Sequence, residues 1–146
     1  MSGHQPQIEV ASHHPHMSVD MAALRTALSA SLPLCLEHAL PGAPLAKLDE
    51  IEVSLVDDPT IADLHVRFMN VPGPTDVITF QHGEIIISVD TATRQAAEHG
   101  NPLDRELLLY GIHGLLHLAG YEDGEDSSRR RMELLQEQIL ERTAQV

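Results

Sequence analysis

Tryptophan is absent from this chain of 146 residues, cysteine occurs once, and the aromatic side chains are two tyrosines and two phenylalanines. A single thiol, Cys35, excludes an internal disulfide and any zinc site built mainly of thiolates, and it fits a reducing compartment. Four rings, Phe68, Phe80, Tyr110 and Tyr121, leave few platforms on which single-stranded bases could stack. Positive charge is scarce as well: 9 basic side chains, of which Lys47 is the one lysine, face 22 acidic ones, for a formal net charge of −13. A nucleic-acid partner would need a local basic patch that composition does not supply. No apolar run approaches the roughly 20 residues that span a bilayer, and the first 17 residues lack a positive start followed by an apolar core. The expectation is a cytoplasmic protein without a membrane segment.

The chain is rich in histidine, at 10 copies. His4, His13, His14 and His16 fall among Pro, Ser and Gln in residues 1–17, a composition that buries little surface and reads as a flexible arm with a short strand at 8–10. Residues 18–146 carry the organised pattern. Met21, Leu24, Leu28 and Leu32 recur at helical spacing behind Ser18 as the expected N-cap, with Pro33 expected to disturb the end. Ile51, Val53 and Leu55 alternate as in a half-buried strand, and Asp58-Pro59 opens a second helix whose apolar stripe is Ile61, Leu64 and Phe68. Val77 to Phe80 and Glu84 to Val89, joined by Gln81-His82-Gly83, read as an antiparallel hairpin. Three further helices follow, after Asp90, from Pro102 to about Ala119, and from about Ser127. The sum is one α/β (α+β) domain with a small mixed sheet.

The helix from Pro102 is apolar nearly all round, which makes it the expected central helix. It carries His113 and His117, which at ~100° per residue share one face a turn apart. Gly120 then allows the chain to double back and bring Asp123 to the same place. Two imidazoles and a carboxylate are a ligand set for a divalent ion, and three protein ligands leave a fourth position open, as catalytic zinc requires. Unpaired imidazoles within so apolar a helix would be costly. Gly114 stands where zinc peptidases with a His-Glu-x-x-His helix carry their glutamate, so proteolysis is excluded unless Glu84 or Glu122 supplies that base.

The string His113-Gly114-Leu115-Leu116-His117-Leu118-Ala119-Gly120-Tyr121 resembles the signature of the YbeY-type endoribonucleases, the rRNA maturation factors of bacteria. Pro74-Thr75-Asp76-Val77-Ile78-Thr79-Phe80, followed by Gly83-Glu84-Ile85, is similar to a second block of that family, and the fit extends over about Ile51 to Leu140. The resemblance implies a compact α/β fold, one Zn²⁺ per chain, and single-strand-specific cleavage of RNA in ribosomal RNA maturation and ribosome quality control. Single-stranded RNA, ribosomal RNA or the small ribosomal subunit would be the partner; oligomeric state is not implied.

Two positions depart from the family pattern. Asp123 stands where the family's third ligand is a histidine, which lowers the centre's charge with Zn²⁺ from +2 to +1 and makes it a weaker activator of water. An activity optimum at higher pH than that of an Asp123→His variant is therefore expected. Phe68-Met69 stands where the family has Tyr-Arg, with the arginine facing the pocket, so Met69 is read as a core filler and Arg67 as pointing elsewhere. Arg130 and Arg131 then become the candidate RNA contacts, within a run (Arg129 to Arg131) that by its position at a helix start reads first as a solvated face pairing with nearby acids. Glu122 and Asp76 are candidate acid–base groups. The alternative to an enzyme is a metal-binding ribosome-assembly factor with weak or no catalysis. A third possibility is metal-dependent hydrolysis of a small substrate, which would suit the acidic charge.

Overall fold

The computed structural model describes residues 5–144. Nine regular elements appear in chain order: β1 (Gln7–Ser12), α1 (Met21–Glu37), β2 (Glu50–Val56), α2 (Asp58–Met69), β3 (Val77–Phe80), β4 (Glu84–Ser88), α3 (Val89–His99), α4 (Leu103–Leu118) and α5 (Asp126–Ala144), with a 3₁₀ turn at Pro44–Lys47. The strands form one mixed sheet in the order β1-β2-β4-β3. β1, β2 and β4 run parallel, and β3 pairs antiparallel with β4 through the expected hairpin.

Period-2 alternation sorts the strand residues onto two faces. Ile51, Val53 and Leu55 of β2 and Ile85 and Ile87 of β4 join the main core with α1, α4 and α5, while Val56, Ile78 and Ile86 pack with Ile61 of α2 in a smaller cluster. α4 lies deepest: Leu107, Ile112, Leu115, Leu116 and Leu118 are each at most 1% exposed. Its approach to the sheet depends on glycine, since a Cβ at Gly114 would sit 2.8 Å from Ile85 side-chain carbons. Any side chain at that position would have to displace Ile85.

Several expectations from sequence are corrected. Residues 7–12 are a built strand of the sheet, not part of a loose arm: Ile8 is 5% exposed and pairs in register with Ile51. His14 is also held, its Nε2 donating to Asp90 Oδ1 at 2.8 Å while Nδ1 accepts from the backbone N–H groups of His16 and Met17. His4 lies outside the described residues. The N-cap of α1 is Asp20, whose carboxylate accepts from Ala23 N at 3.0 Å, in place of Ser18. Pro33 does not end that helix, because it is exposed and the carbonyl it leaves unpaired can be solvated. α2 is capped by Asp57, one residue before the expected Asp58. Met69 is 45% exposed at the end of α2 and fills no core. Among the described residues, no helix is long and apolar enough to cross a membrane.

Candidate metal centre

The C-terminus of α4 builds the centre. Ala119 caps the helix, Gly120 takes a left-handed φ of 104°, and the N–H groups of Gly120 and Tyr121 return to the carbonyls of His117 and Leu116 at 3.0 Å each. That pattern is a Schellman closure, which satisfies the last carbonyls and reverses the chain. Tyr121 anchors the reversal: it is 7% exposed and its hydroxyl donates to the His38 carbonyl at 2.7 Å. Asp123 is thereby carried back over the histidines. His113, His117 and Asp123 each present one ligand atom, all within 4.8 Å of one another.

Their orientation is fixed from behind. His117 Nδ1 lies 2.9 Å from the Tyr121 carbonyl, which can only accept, so the proton sits on Nδ1 and Nε2 presents a lone pair. His113 Nδ1 donates to Gln136 Oε1 at 2.9 Å with the same result. The two Nε2 atoms then face each other at 3.1 Å, with Asp123 Oδ2 at 3.3 Å from His113 and 3.7 Å from His117. Three acceptors converge with no donor between them, which is costly without a cation. Their spacings match the ~3.3 Å edge of a tetrahedron whose zinc–ligand bonds are ~2.0–2.1 Å. The donor set therefore fits a divalent metal.

Electrostatics keep the ligands available. Burial, and then the neighbouring His113, hold the His117 pKa below its ordinary value against the opposing pull of Asp123, so its imidazole is neutral near pH 7. The side chains of His113, His117 and Asp123 are 22%, 25% and 43% exposed, so the centre is reachable from solvent.

A cleft of about 540 Å³ opens beside the centre. His113 and Asp123 line it together with Asp76, Glu106, Tyr110 and Glu133, and Arg129 is its guanidinium. Four carboxylates against one arginine make the cleft acidic. Burial, with the charges of Asp76 and Glu106, pushes the Tyr110 phenol well above its usual range, so it stays protonated. Glu106 is 1% exposed and accepts from His99 Nδ1 at 3.1 Å and Asn101 Nδ2 at 3.4 Å.

The residues singled out from sequence are distributed unevenly around the centre. Asp76 lines the cleft, although its Oδ1 also accepts from the following N–H of Val77 at 2.8 Å. Glu122 is exposed in an adjoining hollow with His117 and Asp123. Glu84 instead accepts from His82 at 3.1 Å. Within the basic run, Arg129 reaches the cleft and pairs with Asp126, while Arg131 lies over the Tyr121 ring at 5.3 Å. Arg130 is exposed and outside the cleft lining. Arg67 pairs with Asp63 at 3.1 Å, away from the centre. Sequence reasoning missed Gln136 and Glu106. Gln136 left a faint signal as a polar residue beside the apolar stripe of Met132 and Ile139; Glu106 sits two turns before His113 on the same face.

A small mixed sheet carrying a buried helix that ends in a solvent-reachable His-His-Asp cluster defines a metal-site α/β protein. The family model described as Endoribonuclease YbeY matches residues 10–144, and the chain belongs to that family. It is 37% identical over 121 residues to Endoribonuclease YbeY of Mycolicibacterium paratuberculosis, covering 66% of this chain and 68% of that protein. Against the protein of the same name from Thermobifida fusca it is 40% identical over 119 residues, covering 70% and 75%. The Rhodococcus jostii relative is 39% identical over 111 residues, covering 63% and 62%, so the match spans roughly two thirds of these relatives' length. The solution structure of TM1509 from Thermotoga maritima is similar with a TM-score of 0.62 at 28% identity, over 93% of this chain and 88% of that one.

Proposed function

We propose that this chain is a zinc-dependent endoribonuclease that cuts single-stranded RNA in ribosomal RNA maturation and ribosome quality control, in the cytoplasm, with residues 18–146 as its catalytic domain and β1 completing the sheet. The observation that carries this reading is the convergence of three lone-pair donors on one point at the edge of an open cleft, in a chain of this family. His113, His117 and Asp123 would hold one Zn²⁺, and among the described residues no fourth His, Cys, Asp or Glu joins the group. Held by these three side chains, a divalent ion would supply Lewis-acid polarisation of a phosphoryl oxygen and an activated water. Arg129 binds the phosphate beside it, with Arg130 and Arg131 as outer contacts to the strand. Glu122, exposed next to His117 and Asp123, would take up a proton at its carboxylate. Gln136 and the Tyr121 carbonyl keep both imidazoles in the ligating tautomer.

A second reading is a metal-binding ribosome-assembly factor with little catalysis. The acidic cleft and the exposed Met69 favour it. Defined single-stranded and duplex ribosomal RNA fragments, assayed with His117→Ala as the control for contaminating nuclease, separate the two. Cleavage of the single-stranded fragment by wild type alone supports the enzyme. Equal traces of cleavage in both proteins support the assembly factor.

A further inference from the structure

The chain has only two phenylalanines, and they meet each other on the surface. Phe68 of α2 and Phe80 of β3 contact edge to face with ring centroids 5.3 Å apart, and His82 in the hairpin turn stacks on Phe80 at 5.7 Å and an interplanar angle of 20°. The group is held in place. Glu84 fixes the His82 ring at 3.1 Å, Arg67 lies 5.8 Å from the Phe68 centroid, and Phe80 is anchored against the small core beneath α2. Its outer surface is open, with Phe68 61% exposed. Rings grouped on one exposed surface present flat apolar faces on which a planar ligand can stack.

Its position says which ligand. Gln81, between Phe80 and His82, lines the hollow that also contains His117, Asp123 and Glu122. The rings and the metal centre therefore lie on either side of one hairpin tip, at the outer edge of β3, which has no strand beyond it among the described residues. A chain lying across that tip would reach both. With a net charge of −13 and an acidic cleft whose lining holds one arginine, phosphate contacts supply little affinity for a single strand, so further affinity has to come from base stacking, which is independent of net charge.

We propose that Phe68, Phe80 and His82 form a stacking site for bases of single-stranded RNA flanking the bond to be cut. The ligand class rests on the ribonuclease reading; the ring cluster itself does not. The test uses the full-length, zinc-loaded protein and single-stranded RNA pentanucleotides carrying the fluorescent base 2-aminopurine at each position in turn. Its initial quenching reports stacking, and cleavage is scored separately on the same samples. Wild type should quench at one or two adjacent positions, and the quench of the bound strand should persist as added salt weakens the phosphate contacts. Phe68→Ala, at an exposed position, should abolish the quench and weaken binding about 10-fold, while Phe68→Trp should retain both.

Absence of quenching in wild type, or binding and quenching by Phe68→Ala equal to wild type, would overturn the stacking site and leave the rings as a protein-docking face. Stacking without cleavage would contradict the ribonuclease reading and keep the stacking site. Cleavage with no effect of Phe68→Ala would do the reverse.

Discussion

Nε2 of His113 and Nε2 of His117 lie 3.1 Å apart, and neither ring can turn away, because each Nδ1 is held at 2.9 Å by an acceptor behind it. One acceptor is a backbone carbonyl; the other is the side chain of Gln136. Replacing Gln136 by Leu keeps the bulk and removes the acceptor, freeing His113 to rotate and change tautomer. Zinc affinity, measured by competition with a chromogenic chelator, should fall about 10- to 100-fold while the fold persists.

Gly114 sets how closely α4 approaches the sheet. A methyl group there meets Ile85 at 2.8 Å, so Gly114→Ala should destabilise the protein by about 1–3 kcal/mol in urea unfolding. Gly124→Ala is the control: it has nothing within 4 Å and should change stability by a few tenths of a kcal/mol at most, about the scale of a neutral surface change.

The pH dependence follows from His117, whose pKa is lowered by burial and by His113. In the unfolded chain it takes a proton near the usual histidine value of about 6.5, whereas the folded protein resists it. The stability contributed by this group is therefore present above about pH 6.5 and is lost as pH falls through the lower folded value. Protons compete with metal for the same Nε2 in that direction too. The rise in melting temperature produced by saturating zinc should be large at pH 7.5 and shrink steadily toward about pH 5.5.

Arg129 is the guanidinium among the residues lining the cleft. Arg129→Gln should raise KM for RNA several-fold with a smaller change in kcat and reduce the salt dependence of binding by about one phosphate contact. The paired change Arg130→Gln and Arg131→Gln should have the weaker effect. Steady-state kinetics at two ionic strengths decide the order.

The parts of this molecule that follow from local pattern were legible in its sequence. The alternation of Ile51, Val53 and Leu55, the hairpin at Gln81-His82-Gly83 and the pairing of His113 with His117 all rest on fixed periods of 2 or 3.6 residues. Asp123 was legible because Gly120 announces a reversal. What escaped depends on partners distant in sequence. Gln7–Ser12 is a strand because β2, some 43 residues later, offers it a paired edge, as the register Gln7 with Glu50 shows. Gln136 and Arg129 reach His113 and the cleft only when α5 packs on α4. The aromatic cluster escaped for the same reason, since Phe68 and Phe80 belong to different elements.

Under the proposed function, a metal held by His113 and His117 is needed to cut RNA. The most direct measurement is metal content per chain alongside cleavage of a defined single-stranded RNA, for wild type and His113→Ala purified in parallel. The predicted result is one zinc and cleavage in wild type, with both lost together in the variant. Loss of metal with cleavage retained would contradict it.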